Sequence, residues 1–145
     1  MSRTMRSLFT IFLVFLLASC YSAYTKSEID EYLQPYLYAL DTGIYKPEGV
    51  LYSQSFGRKL EGEEWKKAIE KIWEQQGKIK AMKITSLSTN KLLNIGGPSA
   101  IEYFANYRVE REAGTTLEKI MLFESSRSEE NPKITGHIIT TLVMF

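Results

Sequence analysis

The hydrophobic period of this chain switches once, near Gly77, from helical to strand-like, and the switch bounds the folds open to it. Upstream, Ile29, Leu33, Tyr36, Leu37 and Leu40 fall on one face of a helix, and Trp65, Ile69, Ile72 and Trp73 on one face of another. Downstream, Ile101, Tyr103, Ala105, Tyr107 and Val109 alternate with Glu102, Phe104, Asn106, Arg108 and Glu110, as a half-buried strand does. Helices first and strands afterwards predict an α+β domain, with N-terminal helices packed on a curved antiparallel sheet of about four strands.

Local signals place the boundaries. Thr25-Lys26-Ser27-Glu28 has capping-box spacing, so the first helix is expected to start near Thr25 or Ser27. Pro35 removes an amide donor and is expected to kink or split it near Gln34. Asp41-Thr42-Gly43 closes the segment. Residues 44 to 60 carry Pro47, Gly49 and Gly57 among Tyr45, Val50, Leu51, Tyr52 and Phe56, and are expected to form a short helix or turn packed by its aromatics. In the next helix, Glu63 with Lys67 and Lys66 with Glu70 are opposite charges four apart on the wet face. Gly77 is its stop signal.

Lys78 to Ser88 reads as a strand whose alternation slips between Ala81 and Met82, the mark of a bulge or of two half-buried faces. Residues 94 to 98 read as a loop. Gly114 suggests a three-residue hairpin loop, Glu112-Ala113-Gly114, which sets Val109 opposite Leu117, Ala105 opposite Met121 and Tyr103 opposite Phe123. On the other face, Arg108 then meets Glu118. Such apolar and opposite-charge pairs contribute roughly 0.2–1 kcal/mol each, and slipping one residue, with Ala113-Gly114 as the loop, would lose them. Residues 125 to 132 are a polar connection. The last strand, from Lys133 to about Met144, has apolar residues on both parities and is expected to be central or covered on both sides.

The first twenty residues have another character. Arg3 and Arg6 precede the apolar run Leu8 to Leu17, which ends in Leu17-Ala18-Ser19-Cys20. A run of about ten to twelve apolar residues is too short for the roughly twenty a membrane helix needs. It suits a signal core. Basic start, short apolar core and small residues before the chain's one cysteine resemble a bacterial lipoprotein signal with its lipobox. The resemblance implies cleavage after residue 19, acylation of Cys20, a lipidated tether over residues 20 to 25, and one domain over residues 26 to 145. It also implies a bacterial cell envelope protein on a membrane, with no disulfide or thiol chemistry in the mature domain. Tyr21, rather than Asp, follows the cysteine. In that class this implies the outer membrane of a diderm cell.

Removing Arg3 and Arg6 with the leader leaves 16 Lys plus Arg against 17 Asp plus Glu. With no basic run, the balance argues against nucleic acid as a partner.

Further along, Leu40-Asp41-Thr42-Gly43-Ile44-Tyr45 resembles the Asp-x-Gly-x-Tyr end of a first helix in a group of small exported bacterial domains of unknown function. Trp65 through Gly77-Lys78-Ile79-Lys80 is similar to that group's Trp helix running into a Gly-Lys strand. Thr116-Leu117-Glu118-Lys119 and Lys133-Ile134-Thr135-Gly136-His137 are similar to its last two strands. The group looks related to the cystatin-like and nuclear-transport-factor-like cone folds. The resemblance implies a cone and supplies no catalytic residue. His137 stands where the group often has an aromatic.

Chemistry is sparse. His137 is the only histidine, so a multi-histidine zinc site is out of reach, and no metal or cofactor is expected. It fits a strand residue in an aromatic position better than a lone base. Glu102, Arg108, Glu110, Glu118 and Glu124 fit a solvated sheet face. Tyr36, Trp65, Tyr103, Tyr107, Met121 and His137 are the candidates to line a pocket between sheet and helices, although filling the core is the simpler use for them. Buried tyrosines would need hydroxyl partners. The expected function is a lipid-anchored binding or accessory module without catalysis. Its partners would be the membrane, through Cys20, and an envelope protein or a small apolar ligand. The alternative is a cone-fold enzyme acting on a small apolar substrate, and Asp41 or His137 pointing into a cavity beside Tyr103 or Tyr107 would mark it. A purely structural surface protein is a third class, marked by an exposed apolar patch.

Overall fold

The first helix carries its own start signal. In the computed structural model, which describes residues 23–93, 99–125 and 130–142, α1 spans Lys26–Leu40. The Thr25 hydroxyl accepts from the Glu28 amide, and the Glu28 carboxylate accepts from the Thr25 amide. Ile29, Leu33, Tyr36, Leu37 and Leu40 form its buried face. Pro35 does not split α1. It lies on the exposed side, where water can take over the hydrogen bond that the proline ring removes.

The aromatic segment after α1 contains a strand that the sequence does not announce. Leu51–Tyr52 form β1, followed by α2, Gln54–Leu60, capped by Ser53. The next helix, α3, covers Glu63–Gln76 and ends at Gly77, where φ is +77°. A Cβ at Gly77 would stand 2.7 Å from the Glu112 Cβ, so this stop is also a close crossing with the turn at Glu112.

Four long strands follow: β2 (Ile79–Leu92), β3 (Ala100–Arg111), β4 (Gly114–Ser125) and β5 (Lys133–Thr141). The sheet order is β1-β5-β4-β3-β2. The fold is α+β, as expected, with five strands rather than about four. The sheet is mixed, because β1 pairs parallel to the start of β5 through Leu51–Lys133 and Tyr52–Ile134. The irregular alternation of β2 corresponds to register shifts between Ile79 and Ala81 and between Ile84 and Ser86. Residues 94 to 98, expected as a loop, lie outside the described residues, as do 126 to 129 of the polar connection.

The β3–β4 register differs from the one expected. Arg111 pairs with Gly114, Val109 with Thr116, Arg108 with Leu117, Tyr107 with Glu118 and Ala105 with Ile120. Only Glu112 and Ala113 form the turn, and Gly114 does not take the positive φ that a three-residue loop requires. The turn is held from outside. Glu112 N–H donates to the Lys78 carbonyl, Ala113 N–H to the Gln76 carbonyl, and Lys78 N–H to the Glu112 carboxylate. Contacts with the α3–β2 junction therefore override local turn preference. Slipping by one residue turns β4 over. Thr116, Glu118, Ile120, Leu122 and Glu124 point inward, while Leu117, Met121 and Phe123 point outward.

The core lies between the three helices and this inward face, with Ile101, Tyr103, Ala105, Tyr107, Val109, Ile120, Leu122 and Ile134 of the sheet against the α1 face, Phe56, Leu60 and Ile69. β5 is flanked by two strands only where β1 reaches it, and its outward side is not covered. Of the two expectations for β5, a central place holds where β1 pairs with it, and cover on both sides does not, because Ile138 is 51% exposed. Among the described residues, no helix is long and apolar enough to cross a membrane.

Candidate functional site: a buried Tyr-His-Glu-Arg chain

Two charged side chains, one of them the Glu118 expected on a solvated face, are at the centre of the molecule. Glu118 is 2% exposed and Arg111 6%. Arg111 ends β3 on the parity of its inward residues, and the unexpected register turns Glu118 of β4 to the same face. The Arg111 guanidinium donates to Glu118 Oε1 at 3.0 Å and to the Thr116 hydroxyl at 3.3 Å, and Thr116 in turn donates to Glu118 Oε1 at 3.0 Å. The other carboxylate oxygen, Oε2, is 2.8 Å from His137 Nε2. His137 faces Ile120 across β4–β5. Its Nδ1 is 2.9 Å from the Tyr36 hydroxyl of α1.

With a proton on Nε2, His137 donates to Glu118, and its Nδ1 shares a hydrogen bond with the Tyr36 hydroxyl. Burial by itself would raise the Glu118 pKa. The hydrogen bond from His137 and the charges of His137 and Arg111 outweigh it and hold the carboxyl down at about 2. Burial, with the neighbouring Tyr52 and the Glu118 charge, pushes the Tyr36 phenol well above its usual range.

Around the chain is an aromatic jacket. The Trp65 ring stands 5.4 Å from the His137 ring, Tyr36 5.6 Å from it, and Phe56 6.1 Å from Trp65. At the outer end, Asp41 ties the end of α1 to the start of β2. Its carboxylate accepts from the Ile79 amide at 2.6 Å and from Trp73 Nε1 at 3.3 Å, and lies 3.5 Å from Arg111. Lys78 donates to the Asp41 carbonyl at 2.7 Å and lies over the Trp73 ring.

Of the six expected pocket residues, Tyr36, Trp65 and His137 come together here. Tyr103 and Tyr107 share the inward face and have separate partners. The Tyr103 hydroxyl donates to Glu124 at 2.5 Å and accepts from the Tyr24 amide at 3.0 Å. The Tyr107 hydroxyl donates to Asp30 at 2.9 Å. Burial and the Asp30 charge raise its pKa. Met121 is on the opposite face, packed over Gly136, where an added Cβ would collide with its methyl group. Glu118 and Glu124 leave the solvated group to which they were assigned, whereas Arg108 and Glu110 stay in it and Glu102 is half-buried. Cys20 lies outside the described residues.

What the arrangement can do chemically follows from its closure. A histidine held between a carboxylate and a hydroxyl has the pairing of a general base. Here the His137 and Glu118 side chains are both 0% exposed, and each of their polar atoms has a partner inside the protein. Asp41 does not open onto Tyr103 or Tyr107. It is consumed by Ile79, Trp73 and Arg111. Concave surfaces lie elsewhere: a groove of about 450 Å³ on the outside of the sheet, bordered by Thr85, Asn106, Tyr107, Leu117, Glu118 and Ile138, and hollows of similar size along α1 and beside Trp65 on α3. Among the described residues, no group of three or more His, Cys, Asp or Glu side chains is placed to hold a metal ion. No protein-family model, curated protein or solved structure matches this chain.

Proposed function

We propose that this chain is a lipid-anchored bacterial envelope protein, a binding or accessory module held to a membrane through Cys20. In a diderm cell it would sit on the periplasmic face of the outer membrane. The leader carries the location, and its cone-fold resemblance agrees with a small exported domain. One observation supports the binding role above the others. The inward face of the sheet is filled by the protein's own side chains, while the outward face keeps Leu117 40% and Ile138 51% exposed at the groove. An uncovered apolar patch of this kind suits a protein contact. Tyr36, His137, Glu118 and Arg111 then serve as a structural brace between α1 and the sheet. The competing enzyme function draws on the same His137–Glu118 pair and requires a substrate path to a ring that is closed off.

In-cell photo-crosslinking distinguishes the two. A photoreactive amino acid at Ile138 should give a discrete adduct with one envelope protein, and the same group at exposed Glu74 on α3 should not. Equal labelling from both positions, or a purified protein that carries a small molecule and no partner, would refute the module. Palmitate labelling, lost on Cys20→Ser, reports the anchor separately.

A further inference from the structure

The tether and one end of the sheet point the same way. Tyr24, the second described residue, lies against Tyr103 with ring centroids 6.2 Å apart, and its amide donates to the Tyr103 hydroxyl. The N-terminal end of α1 therefore sits at the end of the sheet where β2 runs into β3. The opposite end holds the β3–β4 turn, against which Asp41 and the C-terminus of α1 pack. Tyr103 pairs with Thr89, and beyond Thr89 the strand continues outward to Leu92, paired with Ala100. At about 3.3 Å per residue, Leu93 stands roughly 13 Å beyond the level of Tyr103. Three peptide steps separate Cys20 from Ala23, a reach of at most about 11 Å. Tether and overhang are thus of matching length.

The last described residues of β2 and its exit carry an unusual pair for a solvent-facing segment. Leu93 is 84% exposed, the most exposed large apolar side chain described, and Leu92 is 40% exposed beside Lys91. Phe123, 38% exposed, is near the same end on β4 and pairs with Glu102 and Lys133.

We infer that Leu92 and Leu93 dip into the bilayer that holds Cys20, giving the domain a second lipid contact that fixes its orientation. The occupant is the lipid surface itself. Apolar side chains at the tip enter the acyl boundary while Lys91 and Lys133 stay among the headgroups. The β3–β4 turn and the buried brace then face away from the membrane, and the outward sheet face stands roughly upright and open to a partner from the side. This orientation depends on the lipid anchor proposed above.

The test uses the full-length lipidated protein reconstituted into vesicles of phosphatidylcholine brominated along its acyl chains. Leu93→Trp adds an indole at an exposed position, and Ala113→Trp adds one at the far turn. Trp65 and Trp73 supply the background, subtracted with the unmodified chain. Bromine quenching should be several-fold stronger for Leu93→Trp than for Ala113→Trp. Equal, weak quenching at both positions in protein that carries palmitate would overturn the lipid contact and leave the anchor standing. Failure to incorporate palmitate would overturn the anchor, and the second contact with it.

Discussion

Glu118→Gln isolates the charge at the centre of the brace. The variant keeps the side chain's size and removes the negative charge between Arg111 and His137. Its amide nitrogen must also face donors on one side, because Glu118 accepts from Arg111, Thr116 and His137. Two routes give the magnitude. A carboxyl held at about 2 instead of 4.5 has roughly 3 kcal/mol of stabilisation in its ionised form. Removing one partner of a buried ion pair costs about 3–5 kcal/mol, here softened by Asp41 at 3.5 Å from Arg111. A loss of about 3 kcal/mol is expected at pH 7, within the roughly 5–15 kcal/mol that a domain commands. The folded pKa lies below the unfolded one, so the contribution is complete above about pH 4.5 and disappears as pH falls towards 2. Urea unfolding followed by tryptophan fluorescence at pH 7, 4.5 and 3 measures it. The original chain and Glu118→Gln should differ by about 3 kcal/mol at pH 7 and converge as the solution is acidified. Equal stability at pH 7, or an undiminished gap at pH 3, would refute the ionised brace.

Pro35→Ala should stabilise the domain by about 1–2 kcal/mol in the same unfolding assay. It restores a helical amide on the exposed side of α1, worth up to about 3 kcal/mol, against a smaller gain in unfolded-chain freedom. Tyr107→Phe removes one hydrogen bond to Asp30 and should cost about 1 kcal/mol, read as a thermal midpoint lowered by about 4 °C.

The helices were legible because their signals are local. Thr25 and Glu28 form their capping box whatever the rest of the chain does, and the apolar spacing from Ile29 to Leu40 names the buried face directly. The inward face of β3 was legible for the same reason. The brace was not. It depends on a strand register set by amides of Glu112 and Ala113 reaching carbonyls of Lys78 and Gln76, about 35 residues away in sequence, and no turn preference encodes that contact. Glu118 also looks solvated by its charge, because a buried carboxylate is tolerable only with a partner such as Arg111, which itself continues the inward alternation of β3. One partial signal was present: Ile120 and Leu122 alternate on the same parity as Thr116 and Glu118. β1 escaped detection because two residues carry no period.

The short parallel seam of β1 with β5 binds the beginning of the domain to its end. Tyr32 reaches the Pro132 carbonyl across one hundred positions, and Ser53 N–H donates to Ile134. Pairings so distant close slowly, because the intervening chain must first be gathered in. A ribosome delivering this polypeptide from its amino terminus releases α1 and α2 long before the strand they lean on. Until Lys133 and Ile134 emerge, those helices have no finished seat, and the chain stays pliable enough to be threaded.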